Sequence, residues 1–215
     1  MAGAIYALQY DLLNGFEPVA LLSTSPLVLV AKKTMPADDL KGLIAWLKAN
    51  PDKATLGHGG TGGPGHIAGV FFQRQTGTGL QLVPYRGAAP MIQDLVAGQI
   101  DMAISDPVAA LAQVQAGTIK AYGVTAKTRL PSAPDIPTLD EVGLPRFDIS
   151  QWHGLWLPKG APKTIIGKLN AAVVDALADP MVRFAKWTSM YGLPVSVSAA
   201  MVARPPTVRP AGLMI

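Results

Sequence analysis

The stretch Leu56 to Ala68, LGHGGTGGPGHIA, decides how this chain is expected to fold. It contains six glycines between Gly57 and Gly65, together with His58 and His66. Glycine has no Cβ, so its backbone can approach a ligand closely. A short strand-like run precedes the stretch and an amphipathic run follows it, and the first N–H groups of a helix attract anions. The stretch therefore predicts a strand, a tight turn and a helix start that holds a phosphate or a carboxylate.

Short apolar runs alternate with helical patterns on both sides of this stretch. The predicted strands cover 19–22, 27–31, 54–57, 80–84, 100–104, 119–126 and 148–157. The predicted helices run from Pro36 to Pro51, from the glycine stretch to Gly77 (with Ile67, Val70 and Phe71 on one face), over 88–97, 107–116 and 162–178, and onward from Pro180. This order predicts an α/β fold with a mainly parallel, helix-covered sheet, whose ligands bind at the carboxyl ends of the strands.

Three connections fall at those carboxyl ends and are expected to form the walls of one pocket. They are the glycine stretch, Tyr85-Arg86-Gly87 and Ser105-Asp106-Pro107. Asp106 is the carboxylate expected in this pocket, where it would cap the following helix, contact the ligand, or do both. The segment from Lys53 to Gln93 contains no Asp or Glu, which favours an anionic ligand. Chance explains that gap equally well in a chain with few charged residues.

The composition excludes several classes of protein. The chain has 215 residues, enough for one domain or two small ones, and 49% of them are apolar against 15% charged, which argues against disorder. The longest apolar stretch, 18–31, is interrupted by polar residues and Pro26, so a membrane span is rejected. The net charge of +4 comes without a basic cluster, which argues against nucleic acid as a partner. Cysteine is absent, and the first residues show no pattern of a secretory signal.

The glycines also match a nucleotide-binding fingerprint. Gly60, Gly62 and Gly65 fit G-x-G-x-x-G between a strand and a helix. The acidic residue that a dinucleotide fold needs after the next strand is missing, and Arg86 stands there instead, where it could meet a 2′-phosphate. An NADP-binding oxidoreductase that uses the Gly60–Gly65 turn is therefore the alternative function.

Metal binding and catalysis have weaker support. His58 and His66 flank the glycines without nearby cysteines or carboxylates, so His66 is expected to bond loop backbone instead of a metal. His153 is expected to accompany Trp152 in a buried strand. No G-x-S-x-G motif is present, so we expect no enzyme, no metal and no cofactor.

Five longer segments resemble one known family. They are FEPVALLSTSPLVLVAKK (16–33), HGGTGGPGHIAGVFFQRQTG (58–77), LQLVPYRGAAPMIQDLVAGQIDMAISD (80–106), QAGTIKAYGVTAKTRLPSAPDIPTLDEVGLP (115–145) and QWHGLWLPKGAP (151–162). In order and spacing they resemble the substrate-binding receptors of tripartite tricarboxylate transporters, the Bug-type periplasmic solute-binding proteins. The resemblance covers roughly residues 6–192.

The resemblance implies a periplasmic-binding-protein type II-like fold, with two α/β lobes joined by crossing strands. Residues 1–29 would then be a remnant of lobe 1 with a crossing strand, 30–124 the complete lobe 2, 125–203 the return to an incomplete lobe 1, and 204–215 a loose tail. The family's first strand and its Pro-Gly-Gly-type loop have no counterpart before Tyr6. The resemblance thus implies a chain truncated at its N-terminus, with weakened binding.

The resemblance also implies a function and a binding site. The chain would be a monomeric, non-enzymatic periplasmic receptor that captures a small carboxylate and hands it to the membrane components of a transporter. The positions that match the family's ligand site are Gly60, Thr61, Gly62, Gly63, Tyr85 and Asp106. Gly63 replaces a serine of the family, so one hydroxyl contact would be lost while the backbone N–H groups remain.

Overall fold

A computed structural model describes residues 7–12 and 14–179 of the chain. The strands are β1 (Phe16–Pro26), β2 (Val28–Lys32), β3 (Thr55–His58), β4 (Gln81–Pro84), β5 (Met102–Ser105), β6 (Ile119–Val124) and β7 (Ser150–Pro158). The helices are α1 (Leu40–Ala49), α2 (Pro64–Thr76), α3 (Ala88–Val96), α4 (Pro107–Gln115) and α5 (Lys163–Ala178). The helix predicted from Pro180, the end of the segment 125–203 and the tail 204–215 lie outside the described residues.

A five-stranded sheet in the order β4-β3-β5-β2-β6 forms the centre of the α/β fold. β3 pairs in parallel with β4 and β5, whereas β2 pairs antiparallel with both β5 and β6. The sheet is therefore mixed, and the prediction of a mainly parallel sheet missed the reversed strand in its middle. Val28 to Ala31 are each 0% exposed, which fits a strand hydrogen-bonded on both edges and covered on both faces.

The side chains of β2 alternate between two separate apolar clusters. Leu29 points into a core with α1 and α2, and Val28 and Val30 point into a second core with α3 and α4. The five-stranded sheet is thus the middle of three layers, with helices on both of its faces. This arrangement places the starts of α2 and α4 beside each other at the carboxyl ends of β3 and β5.

The face of α2 that packs on the sheet differs from the prediction. Ile67, Val70 and Phe71 were expected to share one face, but Val70 and Phe71 are 39% and 38% exposed. The buried residues are Ala68, Gly69, Phe72 and Thr76. A Cβ at Gly69 would lie 3.0 Å from Leu56 Cδ2, so the helix approaches β3 through its smallest residues. Hydrophobicity alone pointed to the wrong face because close packing favours small side chains there.

β1 and β7 form a separate two-stranded antiparallel ribbon, from the pair Phe16–Pro158 to the pair Pro26–Ser150. Helix α5 packs against it, and Asn170 Nδ2 donates to the Val19 carbonyl at 2.7 Å. The expectation of a buried strand around His153 was wrong, because Trp152 is 45% exposed and His153 is exposed as well.

One buried threonine ties the ribbon to the sheet. Thr125 is 0% exposed and follows β6. Its Oγ1 accepts a hydrogen bond from the Leu27 N–H at 2.7 Å and donates one to the Ile149 carbonyl at 2.5 Å. Its own N–H donates to the Leu27 carbonyl at 2.8 Å. The Thr125 hydroxyl therefore joins three segments of the chain. They are the end of β6, the residue between β1 and β2, and the residue that precedes β7.

Within the described ranges, no helix combines the length and the apolar character needed to cross a bilayer.

The joint at Thr125 can be tested with Thr125→Val, which keeps the shape of the side chain and removes the hydroxyl. The substitution leaves the Leu27 N–H and the Ile149 carbonyl without a partner, so the free energy of unfolding should fall by about 1–3 kcal/mol. Urea unfolding followed by circular dichroism measures the change. Thr128→Val, at an exposed loop position, is the matched control and should change it by less than about 0.5 kcal/mol. Equal unfolding midpoints for the two variants would contradict the role of Thr125.

Candidate functional site

A cavity of about 190 Å³ lies at the carboxyl ends of β3 and β5, beside residues 59–65, here called the glycine loop. Its lining residues are Leu27, Gly59, Gly63, Pro64, Gly65, Ala88, Met91, Ile104, Ser105, Asp106 and Gln151. Two of the three connections predicted as walls, the glycine loop and Ser105-Asp106-Pro107, thus contribute to one cavity. The third connection lies against the loop, because a Cβ at Gly59 would be 3.6 Å from the Gly87 carbonyl carbon.

The glycine loop turns sharply into α2. Gly60 and Gly62 have φ angles of +137° and +78°, which residues other than glycine rarely adopt. Gly63 precedes the helix in an extended conformation, and Pro64 occupies the first helical position, where a missing N–H costs nothing. The sequence therefore determines where α2 starts.

The start of α2 lies unusually close to β5. A Cβ at Gly65 would be only 2.5 Å from the Ile104 carbonyl oxygen, so a side chain at this position requires the backbone to move. Because Gly65 allows this approach, the positive end of the α2 dipole faces the residues that follow β5. The first-turn N–H groups of a helix have no partners within it and are available to an anion there.

Two histidines brace the loop. His66 Nδ1 accepts a hydrogen bond from the Gly62 N–H at 3.1 Å, and His58 Nδ1 accepts one from the Gly60 N–H at 3.4 Å. Their ring centroids are 4.6 Å apart. His58 is 2% exposed, and this burial lowers its pKa below the ordinary value. The predicted bond from His66 to loop backbone is confirmed, and His58 makes the same kind of bond. In this arrangement each Nδ1 carries a lone pair, so the proton of a neutral ring is on Nε2.

These bonds use backbone groups of residues that the resemblance assigned to a carboxylate. The N–H groups of Gly60 and Gly62 donate to the histidines, and the Gly63 N–H donates to the Gly60 carbonyl at 3.1 Å. Thr61 is exposed in the loop and lines neither this cavity nor its neighbour. The loop residues shape the start of α2, and their direct contact with a carboxylate stays a prediction.

Asp106 both caps a helix and lines the cavity. Its Oδ1 accepts a hydrogen bond from the Val108 N–H at 3.0 Å, the N-cap arrangement expected before α4. Its Oδ2 accepts a hydrogen bond from Gln151 Nε2 on β7. Burial raises the pKa of Asp106 above its ordinary value, while the two hydrogen bonds act in the opposite direction. The predicted capping role is confirmed, and the carboxylate stands in the cavity wall.

Ser105 lines the same cavity and was absent from the residues chosen by resemblance. Its side chain is buried, with 4% of the residue exposed. Among the described residues, its Oγ is the buried side-chain polar atom that has no hydrogen-bond partner in the protein. Buried hydroxyls are normally paired, so an unpaired one in a cavity wall indicates a contact for a bound molecule. Its position at the end of a buried strand, beside Asp106, was the available sequence signal.

Tyr85 is bonded to α3 and is not among the residues that line the cavity. Its hydroxyl donates to Asp94 Oδ2 at 2.7 Å, and this bond connects the residue after β4 to helix α3. Burial and this bond to a carboxylate raise the pKa of Tyr85 to about 12. Tyr85 lines neither cavity at the loop, so the structure does not bring it together with Asp106.

A second cavity of about 340 Å³ adjoins the first along β7. It is lined by Gly62, Pro64, Ile67, Ile149, Ser150, Gln151, Trp152 and His153. Pro64 and Gln151 line both cavities, so the start of α2 lies between the sheet and the ribbon. On the ribbon, His153 Nδ1 and Ser23 Oγ are hydrogen-bonded at 3.0 Å. Gln151 was missed by sequence reasoning because only the pairing of β7 with β1 brings it here.

The chemistry of the site is that of hydrogen bonding. Within residues 7–12 and 14–179, no three His, Cys, Asp or Glu side chains gather as a metal site requires. No Lys or Arg lines either cavity. In the first cavity, the groups that can donate a hydrogen bond to a small anion therefore include the helix start and the Ser105 hydroxyl.

Comparison with known proteins identifies close relatives. The model of a family described as tripartite tricarboxylate transporter family receptor matches residues 4–199. A protein of Agrobacterium vitis, described as a UPF0065 protein in the TAR-I ttuE-ttuC′ intergenic region, is 37% identical over 196 residues, which are 91% of this chain and 56% of the relative.

Two solved structures share the fold at similar identity. MatC from Rhodopseudomonas palustris with bound malate is 36% identical, with a TM-score of 0.75 over 82% of this chain and 60% of MatC. The periplasmic binding protein BugD is 35% identical, with a TM-score of 0.74 over 82% of this chain and 58% of BugD. The chain thus spans a little over half the length of these relatives. These structures share the periplasmic-binding-protein type II-like fold that the resemblance implied.

The buried His58 predicts a specific dependence of stability on pH. Because its folded-state pKa is lowered, the unfolded chain takes up a proton first, below about pH 6.5, and the free energy of unfolding then falls as the pH decreases. His58→Asn keeps an acceptor oxygen for the Gly60 N–H and cannot be protonated in this range. Urea unfolding at pH 7, 6 and 5 should therefore show a steeper loss for the wild type than for the variant. Parallel losses would show that His58 does not remain neutral in the folded protein.

Proposed function

Since this chain belongs to the tripartite tricarboxylate transporter receptor family, we propose that it binds a small carboxylate at the start of α2. We propose that the protein captures this acid in the periplasm and delivers it to the membrane components of a transporter. It would act as a monomer and without catalytic activity. The family is one of substrate-binding receptors. Because the chain spans 56–60% of the relatives compared, the activity and partners of the whole protein belong to this proposal.

One observation carries the proposal. The cavity lies between the start of α2 and the buried hydroxyl of Ser105, which has no partner in the described protein. A carboxylate at this place would accept hydrogen bonds from first-turn N–H groups and from Ser105, and the helix dipole would favour its charge. The volume of about 190 Å³ suits a compact acid. The bound malate of MatC supports a ligand of this class.

The division into lobes is part of the same proposal. The described strands β2 to β6 fall between residues 28 and 124, and β1 pairs with β7 outside this sheet. We assign 30–124 to one lobe, and 1–29 with 125–203 to the crossing strands and the other lobe. Gln151 on β7 reaches the cavity formed mainly by residues of the 30–124 lobe, which supports a ligand bound where the two parts meet.

The alternative of an NADP-binding oxidoreductase has no support from the relatives. The structure also disfavours it, because the N–H groups of Gly60 and Gly62 already donate to histidine rings. A pyrophosphate would need those groups in a dinucleotide fold. The cavity beside the loop is small for a dinucleotide, since sites for drug-sized ligands alone occupy roughly 300–1,000 Å³.

Calorimetric titration of the full chain tests the proposal. Small dicarboxylates such as succinate, malate and aspartate should include at least one that binds, and NADP should not bind. Gly65→Ala should weaken binding at least about tenfold, because its Cβ forces α2 away from the Ile104 carbonyl. Gly167→Ala in α5, where a Cβ meets nothing within 4 Å, is the matched control and should bind as the wild type does. Binding of NADP without any response to carboxylates would overturn the proposal.

Ser105→Ala separates a ligand contact from a structural role. The Ser105 hydroxyl makes no hydrogen bond within the described protein, so its removal should leave the free energy of unfolding unchanged or slightly raised. Affinity for the bound carboxylate should still fall about tenfold, the worth of one hydrogen bond.

The matched control for this serine is Ser25→Ala. The buried Ser25 hydroxyl donates to the Pro26 carbonyl at 3.1 Å, so its loss should lower the free energy of unfolding by about 1 kcal/mol. A Ser105→Ala protein that unfolds more easily and binds normally would contradict the proposed contact.

A further inference from the structure

The wall of the cavity beside α2 carries a charge of the same sign as the proposed ligand. Asp106 is the acidic residue among those that line it, and none of the others there is a Lys or Arg. A plain dicarboxylate would bring further negative charge beside Asp106, and the lining residues include no Lys or Arg that would offset the repulsion. Like charges in a partly buried site disfavour each other strongly. The identity of the ligand must therefore account for Asp106.

The Asp106 carboxylate has capacity left for a ligand. It accepts one hydrogen bond from the Val108 N–H on Oδ1 and one from Gln151 Nε2 on Oδ2. An ionised carboxylate offers about four lone-pair sites, so about two remain after these bonds. The two protein donors also fix the group from two elements, α4 and β7. An acceptor that is held in place and lines a cavity is suited to recognise a donor on the bound molecule.

Ser105 places a hydroxyl beside this acceptor. It precedes Asp106 in the chain, lines the same cavity and has no hydrogen-bond partner among the described residues. A hydroxyl can donate to a ligand oxygen or accept from a ligand donor. The wall opposite the glycine loop thus offers a hydroxyl and a carboxylate side by side, whereas the helix start offers N–H donors.

We propose that this cavity selects carboxylates that carry a hydrogen-bond donor, a hydroxyl or an ammonium group, on the carbon next to the carboxylate. The ligand carboxylate lies at the start of α2, and the neighbouring donor is bound by Asp106. The inference rests on the proposed carboxylate-binding function and names the class of acid. Asp106 is the specificity-determining residue and Gln151 is a positioning residue that holds it.

The physical reason for selection is the cost of an unpaired polar group. A ligand without the donor would cover Asp106 with a methylene group and remove its water without replacing the hydrogen bond. Sites built to hydrogen-bond a substrate OH or NH reject analogues that lack it far more strongly than apolar pockets reject a missing methylene. We expect a difference in affinity of at least about tenfold.

Three acids with the same carbon skeleton test the inference. Succinate, malate and aspartate differ at one carbon, which carries hydrogen, a hydroxyl or an ammonium group. Calorimetric titration of the full wild-type chain should show malate, aspartate or both binding at least about tenfold more tightly than succinate. Tighter binding of malate identifies a hydroxyl as the donor, and tighter binding of aspartate identifies an ammonium group. Succinate binding as tightly as the other two overturns the inference and leaves the proposed function standing, whereas binding of none of the three overturns both.

Asp106→Asn tests the residue itself. Asparagine keeps an oxygen that can cap α4 but lacks the charge and part of the acceptor capacity. The preference over succinate should fall at least about tenfold, and thermal unfolding followed by circular dichroism checks that the variant is folded. Asp39→Asn makes the same change at the N-cap of α1, where Asp39 accepts from the Gly42 N–H at 2.7 Å, outside the cavity. It should keep the wild-type preference. An unchanged preference in a folded Asp106→Asn protein overturns the assignment of Asp106.

Discussion

The close approach of α2 to β5 is the constraint on which the site depends. A helix start and a strand end can meet this tightly only because Gly65 leaves room for the Ile104 carbonyl. The approach determines where the helix dipole points, and it brings the glycine loop opposite Ser105. The cavity therefore depends on how closely the backbones of α2 and β5 approach each other. Any residue larger than glycine at position 65 would have to move the helix that supplies the donors.

The glycine loop is ordered by side chains outside its glycines. A run of glycines loses more conformational entropy on folding than any other sequence, so it needs partners to hold one shape. His58 and His66 supply them by accepting the Gly60 and Gly62 N–H groups. The loop is held before a ligand arrives, which reduces the ordering cost of binding. The histidines thus hold the glycine loop in one conformation.

The sequence predicted those features of the site that depend on residues close together in the chain. The helix start at Pro64, the cap at Asp106 and the bond of His66 to loop backbone follow from residues within a few positions. The sequence could not show contacts between distant segments. The reversal of β2 within the sheet, the arrival of Gln151 from β7 and the turn of Tyr85 toward Asp94 depend on the tertiary arrangement. The buried face of α2 was mispredicted for the same reason. Gly69 is buried because its small size lets the helix pack closely against Leu56, and hydrophobicity does not indicate such a contact.

The place of β2 in the sheet has a consequence for biosynthesis. β2 is bonded on one edge to β5 and on the other to β6, both of which follow it by many residues. A growing chain leaves the ribosome from its N-terminus, so Val28 to Ala31 emerge without either partner. The centre of the sheet can close only after Val124 has been made, and pairing at such sequence separation is slow. The centre of this sheet therefore forms late, and until then Val28 to Ala31 are an apolar segment without a strand on either edge.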